Sequence, residues 1–160
     1  SAELANGLGN LVNRALSMLN RYRDGKSPKP STEVASDVEA AVSKVIDQLE
    51  KHELQGALQT IWALIAKTNQ YIDQTAPFKL AKQPDQAERL DEILYNMVET
   101  TRVLAILIWP ILPTTAEKIF EQLALKESPD RFEQAKWGGL KEGHQIGKPS
   151  PLFPRKDLKK

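Results

Sequence analysis

The sequence predicts an all-α protein, an antiparallel bundle of four to five helices with an irregular C-terminal extension. Three observations carry that expectation. Apolar residues recur three and four positions apart along most of the chain. No stretch alternates apolar and polar residues as a half-buried strand does. The periodic stretches are separated by short connections, most of them bearing Pro, as between antiparallel neighbours.

Leu4, Leu8, Leu11, Val12, Ala15, Leu16 and Leu19 mark an amphipathic first helix. The stretch RDGKSPKPST, with Gly25, Pro28 and Pro30, stops it. A second helix is expected from about Thr32, with Val34, Val38, Val42, Val45, Ile46 and Leu49 on one stripe. A third runs from about Glu53 through Leu54, Leu58, Ile61, Trp62, Leu64 and Ile65 to Tyr71, and closes near QTAPF. Trp62 and Trp109 fall on apolar stripes and are assigned to the core. Pro84 and Asp85 open a longer fourth helix carrying Leu90, Ile93, Leu94, Met97, Val98, Leu104, Leu107, Ile108 and Ile111. Unbroken, its about 27 residues would reach roughly 40 Å before Pro110 and Pro113 end it. TTAE then reads as a capping box, Thr114 at the cap and Glu117 three residues on, starting a short fifth helix.

From Ser128 the periodicity fades. WGGLKEGHQIGKPSPLFPRKDLKK is too rich in Gly, Pro and Lys for a regular helix, yet it keeps Trp137, Ile146, Leu152 and Phe153. A disordered tail seldom retains such residues, so the segment is expected to dock on a surface. The division that follows is a helical bundle over 1–127 and an irregular segment over 128–160.

Composition narrows the chemistry. The chain has 160 residues, a length typical of one domain with a real core. It has no cysteine, which excludes a disulfide framework, a thiolate metal site and a cysteine nucleophile. The two histidines, His52 and His144, are far apart and neither has a partner nucleophile in the sequence. No carboxylate cluster suggests an all-oxygen metal site, and no acid–base pair suggests an active site, so no catalytic residue is assigned. The longest apolar run, Val103 to Leu112, is broken by Pro110 and too short to span a bilayer. The net charge of +1 neither demands nor excludes a nucleic acid partner. After Leu125, basic residues outnumber acidic ones nine to five, which suits phosphate contacts and a solubilising tail equally. The opening SAELANGLGNL lacks an initiator Met and is already in helical register, so the chain is expected to be a piece of a longer polypeptide.

Two polar groups stand out. Asn6, Asn10, Asn13 and Asn20 crowd the first helix, although Asn is a poor helix-interior residue. Asn10 and Arg14, one i,i+4 step apart, pair an amide donor and acceptor with a guanidinium, a set that suits the edge of an unpaired base. A solvated polar face is the plainer alternative. Asn69 and Asp73 repeat the i,i+4 spacing near the end of the third helix, and TAPF follows at once. If the first and third helices are neighbours, these groups and Phe78 would border one concave site. Polar groups on base edges with an aromatic under a base face are the means by which single-stranded RNA is recognised. Phe78 reads equally as a plug beneath the turn or as an exposed platform.

Four stretches, ELANGLGNLVNRALSMLNRY, NQYIDQTAPFKLAK, ILIWPILPTTAEKIFEQL and WGGLKEGHQIGKPSPLFPR, together resemble the C-terminal anticodon-binding domain of methionyl-tRNA synthetases. They occur in that family's order and span essentially the whole chain. The resemblance implies recognition of the CAU anticodon of tRNA(Met) in protein synthesis. By resemblance, Asn10 and Arg14 match residues that contact the first anticodon base, and Asn69, Asp73 and Pro77 match further contacts. Phe78 stands where the family usually has a stacking Trp; a phenyl ring still offers a π face but covers less of a base. The resemblance also implies a catalytic Rossmann domain ahead of Ser1, where methionine would be activated with ATP and Mg²⁺ and passed to the tRNA 3′ end. The IGKPSPLFPR stretch would run back toward that domain, and a cytoplasmic location with no membrane partner is implied. The anticodon domain of another class I synthetase and a helical protein-interaction module are the rival readings.

Overall fold

The computed structural model describes residues 2–152, with side chains from residue 6 onward. Phe153 and the basic residues Arg155, Lys156, Lys159 and Lys160 lie outside the described residues, as does the Leu4 side chain. Five helices of ten residues or more form the fold: α1 (Ala2–Arg23), α2 (Ala35–Glu50), α3 (Leu54–Thr75), α5 (Ala87–Ile108) and α6 (Pro113–Gln122). A single turn, α4 (Pro77–Leu80), sits between α3 and α5. There is no strand among the described residues, only one isolated bridge between Lys26 and Gln145.

The helix boundaries follow local chemistry. Helix α1 ends where Asp24 and Gly25 turn left-handed, and the Gly25 amide donates to Leu19 O at 3.0 Å. A side chain at Gly25 would meet Gln145 Nε2 at 2.5 Å, so the close approach of the C-terminal segment requires glycine there. Helix α3 runs one turn past Tyr71 to Thr75. The expected fourth helix is shorter than its apolar pattern suggests. Pro84–Gln86 is a 3-10 turn, and α5 then runs 22 residues, about 33 Å, because Pro110 cannot continue the hydrogen-bond ladder. The expected capping box at Thr114 does not form. Pro113 takes the first helical position, where its missing N–H leaves nothing unpaired, and Leu112 occupies the cap without a side-chain bond.

Helix α5 is the axis of the molecule. Every residue from Ile93 to Ile108 is buried. Helix α1 lies antiparallel to it, with Arg23 Nε donating to Asp91 Oδ1 at 2.6 Å, and α3 lies along another side. Helices α2 and α3 form an antiparallel hairpin, tied by Thr60 Oγ1 donating to Gln48 Oε1 at 2.8 Å. The core joins Leu8, Leu11, Leu16 and Leu19 of α1 to Ile61, Ile65 and Ile72 of α3 and to the α5 run. Each such side chain contributes about 1.5–3 kcal/mol by leaving water.

Of the two tryptophans assigned to the core, Trp109 packs against it and Trp62 does not. Trp109 is only partly buried, where α5 gives way to the Pro110 turn. Trp62 is 42% exposed. The buried stripe of α3 is Ala57, Ile61, Leu64, Ile65, Thr68 and Ile72, and position 62 lies about 100° around the helix from Ile61.

The C-terminal segment is clasped to α5 by a buried ion pair. Arg102 donates from Nε to Glu99 Oε1 and from Nη2 to Glu99 Oε2, both at 2.7 Å. Its remaining reach goes to the carbonyls of Gln134 (2.7 Å) and Lys136 (2.8 Å). Glu99 in turn accepts the backbone amides of Gly138 (2.7 Å), Gly139 (3.0 Å) and Leu140 (3.1 Å). A Cβ at Gly139 would sit 2.3 Å from Arg102 Cζ, so only glycine lets the guanidinium lie there. Tyr95 donates its hydroxyl to Leu140 O at 2.8 Å, and Trp137 donates its indole N–H to Ser31 O at 2.7 Å. Further on, Asn20 donates to Gly147 O at 2.9 Å, and His144, unpartnered in the sequence reading, bonds through Nε2 to Leu123 O at 2.7 Å.

Candidate nucleic-acid interface

Helices α1 and α3 are adjacent and run in the same direction. Gly7 lets them approach closely, since a Cβ there would come 3.2 Å from Ile65 Cγ2. This contact brings the two i,i+4 polar pairs together. Asn69 sits between them, its Nδ2 donating to Gly7 O at 3.2 Å. Its Oδ1 accepts from Asn10 Nδ2 at 3.4 Å and from Arg14 Nη1 at 3.3 Å. Arg14 Nη2 donates to Asp73 Oδ1 at 2.7 Å.

The asparagines of α1 therefore differ in surroundings. Asn10 faces α3, Asn20 holds the C-terminal segment, and Asn6 and Asn13 stay exposed, with Ser17 Oγ donating to Asn13 Oδ1 at 3.4 Å. Two contacts orient Arg14 without exhausting its five donors. Among the described residues, Asn10 Oδ1 and Asp73 Oδ2 make no hydrogen bond. The site thus presents a guanidinium donor edge between two acceptor oxygens, open to solvent on the Asp73 side, whose side chain is 69% exposed.

Phe78 is placed by the backbone that follows α3. Ala76 adopts a left-handed conformation (φ 50°, ψ 62°), its amide closing α3 on Ile72 O at 2.9 Å. Pro77, preset for a helical start, opens α4 and is buried. Phe78 is 49% exposed, with Lys79 Nζ 6.0 Å from its ring centroid. Phe78 is thus not a buried plug: Pro77 is the buried residue of this turn and the ring is half exposed.

The rotation of α3 is held from its other side. Tyr71 donates to Glu33 Oε1 at 2.8 Å, Asn96 Nδ2 donates to both groups at 3.0 Å, and Arg89 pairs with Glu33 at 2.8 Å. The Arg89 guanidinium, bonded to Glu33, holds that carboxyl below the usual carboxylate range. Burial pushes the Tyr71 phenol up to about 12. Sequence patterning misses this group because its members come from a loop and three positions on two helices.

The comparisons with known proteins identify the family. A family profile described as the anticodon binding domain of methionyl tRNA ligase matches residues 23–157. That span includes Asn69, Asp73 and Phe78 but not Asn10 and Arg14. Whole-chain relatives cover α1 as well. A methionine–tRNA ligase of Caldanaerobacter subterraneus subsp. tengcongensis is 40% identical over 166 residues, covering 100% of this chain and 26% of that protein. The Bacillus subtilis methionine–tRNA ligase is 40% identical over 164 residues, covering 96% of this chain and 24% of that protein. In three dimensions the chain is similar to Mycobacterium tuberculosis methionyl-tRNA synthetase, solved in complex with methionyl-adenylate. That match has a TM-score of 0.80 and 30% identity, and it covers 96% of this chain and 31% of the other. The chain spans about a quarter of the length of the curated relatives it matches. It belongs to the family of anticodon-binding domains of methionyl-tRNA synthetases.

Proposed function

We propose that the α1–α3 face reads the CAU anticodon of tRNA(Met) through Asn10, Arg14, Asn69, Asp73, Pro77 and Phe78. The observation that supports it is the single hydrogen-bonded cluster these two helices build, with donors and acceptors left over at its surface. Arg14 donates to the acceptor edge of the first base, cytosine, while Asn10 Oδ1 or Asp73 accepts its exocyclic amine. Uracil offers a donor where cytosine offers an acceptor, so the guanidinium meets the wrong polarity. Phe78 stacks on an unstacked anticodon base, and Pro77 sets the ring's direction.

The chemistry that this recognition serves belongs to a catalytic domain outside the chain, where methionine is activated with ATP and Mg²⁺. Residues 128–160 include the stretch proposed to lead back toward that domain. A cytoplasmic location forms part of the proposal; for its part, no helix among the described residues is long and apolar enough to cross a membrane.

The test is a titration of the chain against anticodon stem-loops bearing CAU, UAU and GCA. Preferential binding of CAU is expected. Arg14→Ala should remove the preference for cytosine, a discrimination of about 1–3 kcal/mol. Phe78→Ala should weaken all three loops together, by about 1–3 kcal/mol. Equal binding of every loop by the unmodified chain would sink the reading, as would wild-type behaviour of both variants.

A further inference from the structure

We infer that Trp62 is a second base-stacking platform on the same face, taking an unpaired loop nucleotide next to the anticodon triplet. The inference rests on the anticodon reading above and extends it along α3. Among the described residues three large apolar side chains are exposed: Leu54, Trp62 and Phe78. Phe78 follows the polar cluster and Trp62 precedes it. At 100° per residue, Trp62, Ala66, Asn69 and Asp73 fall within about 60° of one another, and Trp62 stands about 10 Å along the axis from Asn69. The indole is therefore in line with the reading residues, on the side away from Phe78.

The ground between them suits a flat ligand. Trp62, Ala66, Asn69 and Asp73 line one open trough with Gly7 of α1. Gly7 and Ala66 keep its floor low. Lys67, at the trough's edge, has its ammonium held by Asp37 at 3.1 Å and away from the indole. A docked protein helix would want several apolar anchors on one line. Leu54 lies about 80° around α3 and about 12 Å back, and Ile65 in the trough is buried, so among the described residues the other trough members are small or polar. A large π face among small and polar groups fits a nucleobase, which stacks on any aromatic ring without further matching.

The experiment titrates the chain with CAU stem-loops carrying fluorescent 2-aminopurine at one loop position flanking the triplet at a time. The expected result is quenching at a flanking position that Trp62→Ala abolishes and Trp62→Phe largely keeps. Affinity should drop about tenfold in Trp62→Ala, within the range for one lost base stack. The dependence on salt should be unchanged, because no phosphate contact is removed, and the preference for CAU over UAU should persist. Circular dichroism verifies that the exposed substitution leaves the helices intact. If the chain prefers CAU but Trp62→Ala binds and quenches as the unmodified chain does, the inference is overturned and the anticodon reading stands. If there is no preference for CAU but Trp62→Ala still loses affinity and quenching, the platform stands and the anticodon reading falls. Failure to bind any loop overturns both.

Discussion

Arg102 and Arg14 each donate to a carboxylate at 2.7 Å, from side chains 6% and 22% exposed. The partner of Arg102 is fully buried and that of Arg14 is 69% exposed. Around Arg102 the chain supplies further carbonyls to the guanidinium and further amides to the carboxylate. Around Arg14, among the described residues, the supply stops at Asn69 and Asp73. One pairing thus closes on itself and holds the C-terminal segment, while the other leaves hydrogen-bonding capacity facing water. The same two functional groups become structural or available for a ligand according to how completely the surrounding backbone satisfies them.

Breaking the closed pair should have the largest effect. Glu99→Ala leaves a buried guanidinium without its counter-charge and should lower stability by about 3–5 kcal/mol. Thermal unfolding would register this as a drop in Tm of roughly 10 °C for a domain of this size. Trp137 fluorescence should report release of the segment below the main transition, because the indole N–H is held by Ser31 O. Loss of stability within the range of a surface pair would refute the structural role of the clasp. Arg14→Ala sharpens the contrast, because removal of a pair whose carboxylate is largely exposed should change stability by about 1 kcal/mol at most. A Tm that falls as far as in Glu99→Ala would mean that the α1–α3 cluster exists to hold the fold.

The smallest effect is absent at neutral pH and appears only in alkali. The Tyr71 phenol is raised to about 12, above its ordinary value of 10.0. A raised folded value means the neutral phenol contributes stability that is complete below about pH 10 and lost as pH climbs through about 12. Burial raises the Tyr95 phenol as well, so spectrophotometric titration should show two late-ionising tyrosines, of which one is missing in Tyr71→Phe. A titration in which every phenol ionises near pH 10 would contradict the buried setting of Tyr71.

The helices were legible in the sequence because their apolar stripes are unambiguous, and so was the pairing of Asn10 and Arg14 with Asn69 and Asp73. Both sets repeat an i,i+4 interval, so each shares a helix face whatever the fold around it. Trp62 was not legible, because the three-and-four spacing of Leu58, Ile61, Trp62 and Ile65 tolerates an aromatic at the edge of a stripe, and only the neighbouring helices decide which edge is covered. The clasp escaped for a related reason. VETTRV looks like a polar interruption of α5 until WGGL folds over it, and that contact joins residues 39 to 41 positions apart. The cap at Leu112 went the other way: TTAE has the letters of a capping box, but the proline ahead of it starts the helix two positions early.

The left-handed Ala76 has a consequence for how this surface can change over evolutionary time. The ring at 78 is aimed by the Ala76–Pro77 hinge, and about half of its surface is open to solvent. The aromatic is therefore an interchangeable part: Phe can give way to Trp or Tyr by a change in reach alone, with the mount left untouched. Selection can exchange the exposed ring at position 78 without reopening the fold, whereas a change at Gly139 or Glu99 would have to be answered elsewhere in the chain.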